Sequence, residues 1–348
     1  MSNAECAVVS PGAQDYERMM SMVTGYWVTQ IVRAAAVFNL ADHIGAGRSS
    51  AAEIAQAESA DSDAMRRLLR SCASLGLVTT QDGERYDGTS LLETLRGDSP
   101  SSLRGFAVSQ AAPGHWLSWG NFPEAVRSGT PQTKNAYGST IFEYFAQPQN
   151  GDEARAFTES MRNLSKPNGE EVARVLDTAG VNFALDVGGA GGDLLHSVML
   201  ANPALEGAVL DLPHVLPDAV AAATEKGLRD RFSVVEGDFF AEVPPADLYL
   251  LRYVLHDWSD EECVQILRNC RASLTEGGRV AVIDHLIGKV GEPGVAPLMD
   301  MNMLVMLSGR EREIGEFDAL FAAAGLRRVR VTPAGNMALI EAVADDSA

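Results

Sequence analysis

The stretch Phe183-Ala184-Leu185-Asp186-Val187-Gly188-Gly189-Ala190-Gly191-Gly192 decides how the chain is read. An apolar run ends in Asp186 and Val187, and four glycines then fall within five residues. That is the pattern of a strand stopping at a loop whose backbone a ligand approaches closely. Asp193 to Leu200 follow with apolar side chains at helical spacing. Strand, glycine loop and helix in that order predict an open α/β sheet, with a nucleotide-like ligand outside the carboxyl end of its first strand.

Working outward toward the C-terminus, Ala208 to Asp211, Arg231 to Glu236, Asp247 to Leu255 and Gly278 to Asp284 read as further strands. They end near Asp211, Asp238, His256 and Asp284, which puts polar residues on one rim of a parallel, doubly wound sheet. Ser259 to Glu262 open a helix that runs to Leu274. After a helix from Ile314 to Ala324, Leu326 to Val331 and Asn336 to Val343 read as an antiparallel hairpin around Thr332-Pro333-Ala334-Gly335.

Toward the N-terminus the pattern is helical. Asp15 to Gly45 is apolar on more than one face, which marks a helix that is buried or paired with another subunit. Ser50 and Glu53 form a cap signature, Met65 to Arg70 lie in a further helix, and Leu75 to Tyr86 form a small wing. Residues 12–100 therefore read as a mainly helical winged-helix domain for dimerisation, 101–168 as a helical connector, and 169–345 as the α/β catalytic domain. The connector is rich in rings, including Trp116, Trp119 and Phe145, and would make a wall for a flat substrate.

Composition narrows the function. Asp and Glu number 47 against 28 Lys and Arg, a formal net charge of −19, so a nucleic-acid partner is not expected, nor is an anionic membrane surface. No spanning segment or signal peptide is legible, and a cytoplasmic protein is expected. Four cysteines without a CxxC pair point to reduced thiols and to no metal site.

The glycine loop followed by an acid also fits a dinucleotide dehydrogenase, but the third glycine of that fingerprint would fall at Leu194. With no Lys or Arg beside the glycines, and with Asp211 and Asp238 on the rim, the ligand expected is a nucleoside without phosphates. S-adenosylmethionine is such a ligand: Asp211 would accept the ribose hydroxyls, while Asp238 and Phe239 would hold the adenine.

DVGGAGG, VLDLPHV, GDFF, LRYVLHDW, GGRVAVID and SGRERE occur in that order. On these motifs the chain resembles the S-adenosylmethionine-dependent O-methyltransferases of the plant caffeate and microbial natural-product type, over nearly its whole length. The resemblance implies a Rossmann-like class I methyltransferase domain, a homodimer, and an aromatic hydroxyl of a small secondary metabolite as acceptor, with S-adenosylhomocysteine as product. It implies cofactor contacts from Ser165, Gly188, Asp211, Asp238, Phe239 and Arg252. Ala190 departs from the pattern, which usually has a third consecutive glycine there.

The same resemblance makes His256 the general base of a metal-independent transfer, with Asp284 and Glu311 flanking it. Either acid is able to accept the imidazole N–H and fix its tautomer. A histidine suits the task, because a phenol with pKa near 10 is mostly protonated at neutral pH. On the acceptor side, His115, Trp116 and Met303 are candidate contacts, with Asp300 a weaker one. Asp257 reads first as the cap of the following helix and second as a substrate contact. Two rival functions remain open: a same-fold enzyme performing C- or N-methylation or hydroxylation, and a winged-helix DNA-binding regulator.

Overall fold

The computed structural model describes residues 11–99, 101–213 and 215–346, with the backbone alone for 165–168, and it falls into two compact units, Met1–Ala111 and Ala112–Ala348. In the first unit, α1 (Ala13–Val37) and α2 (Leu40–Gly45) replace the single helix expected from 15 to 45. Asn39 separates them in a left-handed conformation, φ 49°, which asparagine tolerates better than most residues, and its side-chain amide donates to Glu58 at 3.0 Å. The cap expected at Ser50 forms at the start of α3 (Ala51–Ala57), with reciprocal bonds between Ser50 and Glu53. α4 (Ser62–Ser74) starts on the Asp61 carboxylate, which accepts the Ala64 N–H at 2.8 Å.

β1 (Val78–Thr79) and β2 (Asp87–Gly88) form the wing. Its second strand lies later than the sequence reading placed it, because Asp82 accepts the N–H groups of Glu84 and Arg85 and lengthens the turn. α5 (Ser90–Glu93) and α6 (Arg104–Gln110) complete the unit around Leu40, Ile54, Met65, Leu69 and Leu92. One face of α1 is left out of that core: Met19, Met20, Met22, Val23, Tyr26 and Trp27 are each more than half exposed.

The second unit opens with short helices, α7 (Pro113–Gly120), α8 (Phe122–Ser128), α9 (Thr133–Tyr137) and α10 (Ile141–Phe145), and then the long α11 (Gly151–Val175). The α/β part follows as β3 (Phe183–Val187), α12 (Asp193–Ala201), β4 (Glu206–Asp211), α13 (Leu216–Glu225), β5 (Phe232–Glu236) and β6 (Ala246–Arg252). It continues with α14 (Asp260–Ser273), β7 (Leu274–Asp284), α15 (Ala296–Met306), α16 (Ile314–Ala323), β8 (Leu326–Ala334) and β9 (Met337–Ala344). The sheet order is β5-β4-β3-β6-β7-β9-β8. β3 to β7 run parallel, and β9 pairs antiparallel with both β7 and β8, as the sequence implied.

Alternate residues feed opposite faces of the sheet, as the two-residue period of a strand requires. Leu185, Val187, Tyr249, Leu251 and Val280 pack on one side, and Ala184, Leu248, Leu250, Ala281 and Ile283 on the other. The order reverses on either side of β3, so the crevice at the carboxyl ends of β3, β4 and β6 is where such a sheet takes a ligand. Three boundaries need correcting, the first being that β7 begins at Leu274, four residues before the expected Gly278. β6 stops at Arg252, three residues before the expected end, and the hairpin strands extend so that only Gly335 and Asn336 separate them.

Candidate active site

The glycine loop is built for close approach. Gly188 is left-handed at φ 66°, its N–H donates to Leu210 at 2.8 Å, and a Cβ there would press on Val254 and Phe239. At Gly189 a Cβ would fall 2.5 Å from the Asp186 carboxyl carbon, so the missing side chain lets that acid tuck beneath the loop. Ala190 itself is left-handed at φ 47°, a conformation that costs a non-glycine residue about 1–2 kcal/mol. Its N–H donates to Asp211 Oδ2 at 2.8 Å, while Oδ1 accepts the Leu212 N–H at 2.7 Å. Asp211 thus sits half-buried against the loop with lone pairs left over.

Beside it, Asp238 is exposed and Phe239 half-buried. Asn269 of α14 donates to the Phe239 and Phe240 carbonyls at 2.8 and 3.0 Å and fixes that segment. Beneath the loop, burial pushes the Asp186 carboxyl up to about 7 against the pull of Arg252, and its Oδ2 has no hydrogen-bond partner. Burial draws Arg252 down, opposed by Asp186 and Asp193. The rim therefore offers carboxylates, backbone amides and an aromatic ring, a set that fits a nucleoside. Asp186 was not singled out in the sequence, although an acid inside an apolar run was a usable signal.

The histidine does not stand on the strand, as expected, but on a single 3-10 turn, Leu255–Asp257. Tyr253 redirects the chain into it: this residue is left-handed at φ 55°, and its N–H is shared between Ile283 O at 3.3 Å and Asp284 Oδ1 at 3.1 Å. His256 is 9% exposed and stacks on the Tyr253 ring at 5.3 Å. Its Nδ1 lies 2.9 Å from Glu311 Oε1, and its Nε2 lies 3.3 Å from Asp257 Oδ1. Burial alone would lower its pKa, but the carboxylates of Asp257, Glu311 and Asp284 outweigh it and hold the imidazole up at about 9.

Glu311 meets the ring, and its own N–H donates to Asp300 at 3.1 Å. Asp284, fully buried and pushed up to about 7 by desolvation, instead holds the backbone of Tyr253 and acts on the ring only through its charge. Asp257 is not the helix cap. Ser259 caps α14 in a box with Glu262, with bonds of 3.3 and 2.9 Å, which leaves the Asp257 carboxylate beside the imidazole. Burial pushes Asp257 up to about 6, against the pull of His256.

On the connector, His115 is buried in α7 with its ring 5.9 Å from Phe157 and 6.4 Å from Phe145, and Trp116 beside it is half-buried. Met303 is 5% exposed on α15, the helix that also carries Asp300. Asn302, which the sequence did not single out, accepts the Trp119 indole N–H at 2.9 Å and ties α15 to α7. The Ser165 side chain lies outside the described residues. Among the described residues, no group of three or more His, Cys, Asp or Glu is disposed to hold a metal ion, and no helix is long and apolar enough to cross a membrane.

Residues 119–327 match the O-methyltransferase domain family, and residues 20–95 match the O-methyltransferase dimerisation domain. Among curated relatives, a phenazine O-methyltransferase of Lysobacter antibioticus is 32% identical, covering 93% of this chain and 95% of its own. The solved mitomycin 7-O-methyltransferase superposes with a TM-score of 0.89 at 31% identity, covering 95% of this chain and 98% of that one. An O-methyltransferase from neocarzinostatin biosynthesis, solved with S-adenosylmethionine and 2-hydroxy-5-methyl naphthoic acid, gives 0.80 at 33% identity, with coverage of 91% and 96%.

Proposed function

We propose that this chain, which belongs to the S-adenosylmethionine-dependent O-methyltransferase family, methylates an aromatic hydroxyl of a small secondary metabolite with His256 as general base. The observation that carries the reading is the His256 ring, whose Nδ1 is taken by Glu311 at 2.9 Å, so that Nε2, with the Asp257 carboxylate 3.3 Å away, is the working nitrogen. When bound, S-adenosylmethionine supplies a methyl group already activated by its sulfonium charge. Gly188, Asp211, Asp238 and Phe239, with Arg252 and Ser165, hold the nucleoside and its tail. His256 takes the acceptor's proton at Nε2 while Glu311 fixes the tautomer and stabilises the imidazolium. A base near 9 is well matched to a phenol near 10, so the proton transfer is close to balanced. Asp284 keeps the turn in place through Tyr253, and Asp257 borders the acceptor's side of the ring.

His115, Trp116 and Met303 line the acceptor side. The rings of the connector support a flat aromatic acceptor, as do the phenazine and naphthoic acid named for two relatives. Residues 12–100 serve dimerisation, the connector 101–168 shapes the acceptor wall with its rings and supplies Ser165, and 169–345 carry the other cofactor contacts. The exposed apolar face of α1 supports a homodimer. Cys72, Cys263 and Cys270 are free and buried, which supports a reducing compartment such as the cytoplasm.

The test pairs a panel of phenolic acceptors, read by mass gain of one methyl group, with a His256→Ala variant. Loss of the base should lower turnover by about 10²–10⁴-fold while S-adenosylhomocysteine still binds. Unchanged turnover would remove His256 from the mechanism.

A further inference from the structure

Arg312 heads the fully buried side chains by volume, at 0% exposure. A buried guanidinium is costly unless its donors are satisfied. Here Nη1 donates to Leu255 O at 2.8 Å, Nη2 to Trp258 O at 2.9 Å, and Nε and Nη2 to Asp260 Oδ1 at 3.1 and 2.9 Å. Leu255 and Trp258 are the residues immediately outside the pair His256-Asp257. The Leu255 carbonyl also closes the turn with the Trp258 N–H at 3.4 Å, and the Cys263 thiol reaches both carbonyls at 3.1 and 3.5 Å, so Arg312 adds the charged donors to the two carbonyls that bracket the histidine.

The same short segment touches the turn elsewhere. Gly309 packs so closely that a Cβ would collide with the His256 carbonyl oxygen and lie 2.5 Å from Trp258 N. Glu311, the neighbour of Arg312, holds the imidazole. One loop segment, from Gly309 to Arg312, thus fixes the ring, the backbone beneath it and the carbonyls on both sides.

We propose that Arg312 is the positioning residue of His256, its guanidinium setting the turn from Leu255 to Trp258 so that Nδ1 meets Glu311 and Nε2 faces the acceptor. The inference rests on the reading of His256 as the general base. Arginine is needed for its geometry: a planar fork spans two carbonyls and a carboxylate, whereas the ammonium of lysine keeps the charge but not the span.

The test is a cycle of Arg312→Lys, His256→Ala and the double variant, assayed at saturating S-adenosylmethionine on a phenolic acceptor, from neutral to alkaline pH. S-adenosylhomocysteine binding is measured for each. Arg312→Lys should lower kcat on the order of 100-fold, as misplacement of a reacting group does, with acceptor KM and S-adenosylhomocysteine affinity nearly unchanged. Its pH-rate limb should move to lower pH, because a loosened bond to Glu311 raises the imidazole pKa less. In the His256→Ala background the lysine substitution should add no further loss, since a residue that acts only through the histidine has nothing left to position.

Unchanged kcat in Arg312→Lys, or a full additional loss in the double variant, would overturn the proposal and leave Arg312 a structural staple. Normal turnover by His256→Ala alone would instead sink the underlying base assignment, a separate outcome. If Arg312→Lys does not fold, Asp260→Asn loosens the same guanidinium while keeping it. That variant should show a smaller loss, again absent without His256, and full activity would count against the proposal.

Discussion

At His256 the ring is removed from water, yet three carboxylates face it, and their pull outweighs the lost hydration. Its pKa of about 9 lies above the ordinary value near 6.5, so the ligand-free protein carries an imidazolium at neutral pH, and the base form grows only as pH climbs toward that value. The expected outcome is a pH profile of kcat/KM whose rising limb has its midpoint near 9. Glu311→Gln removes one of the charges that raise the pKa, so the limb should shift to lower pH and level off at a lower plateau, because the ring has also lost its orienting acceptor. The linked stability has a definite sign. A folded-state pKa above the unfolded one means that the protonated ring stabilises the fold fully below about 6.5 and that this support is lost as pH rises through about 9. Thermal melts over that window check it, and a limb that stays put in Glu311→Gln would refute the assignment of Glu311 to the ring.

The element that decides the chemistry is a single turn pinned from a distance. Gly309→Ala would drive a methyl group into the backbone of His256, and overpacking of that kind costs about 1–3 kcal/mol. The expected result is a lowered melting temperature together with a loss of turnover larger than the loss of S-adenosylhomocysteine affinity; equal losses would argue for global damage. The turn also marks where sequence reading stops. The glycine loop was legible because a glycine's freedom and the apolar run before it are local properties, and short apolar runs ending in polar residues marked the strands of the sheet. Tyr253, Val254 and Leu255 continued the apolar run, so nothing local announced that Tyr253 goes left-handed; that depends on Asp284, 31 residues on. Asp257 and Ser259 both offered caps, and the deciding partner was Glu262, three residues beyond Ser259. Arg312, within SGRERE, carries no local sign of its role, because its partners lie more than 50 residues earlier in the chain. Asn39 divided a helix whose periodicity ran on through it.

On the scale of the whole molecule, two copies that associate must each bring a net charge of −19. That repulsion acts over about 30 Å at 0.01 M ionic strength and about 3 Å at 1 M. The attraction available to the first unit is of another kind: α1 presents Met19, Met20, Val23 and Trp27 to solvent, and burial of apolar surface is not screened by salt. A homodimer formed on this face should therefore tighten as salt is raised, whereas one formed on ion pairs should loosen. Sedimentation of the full chain at low and high salt separates the two. A charge on the face, as in Trp27→Glu, should shift the population toward the mass of one chain, because a desolvated carboxylate without a partner is expensive in an apolar contact. Trp27 is 56% exposed within its own chain, so the variant should keep the melting behaviour of a folded protomer. A dimer that persists unchanged in Trp27→Glu, or that weakens with salt, would place the interface elsewhere on the molecule.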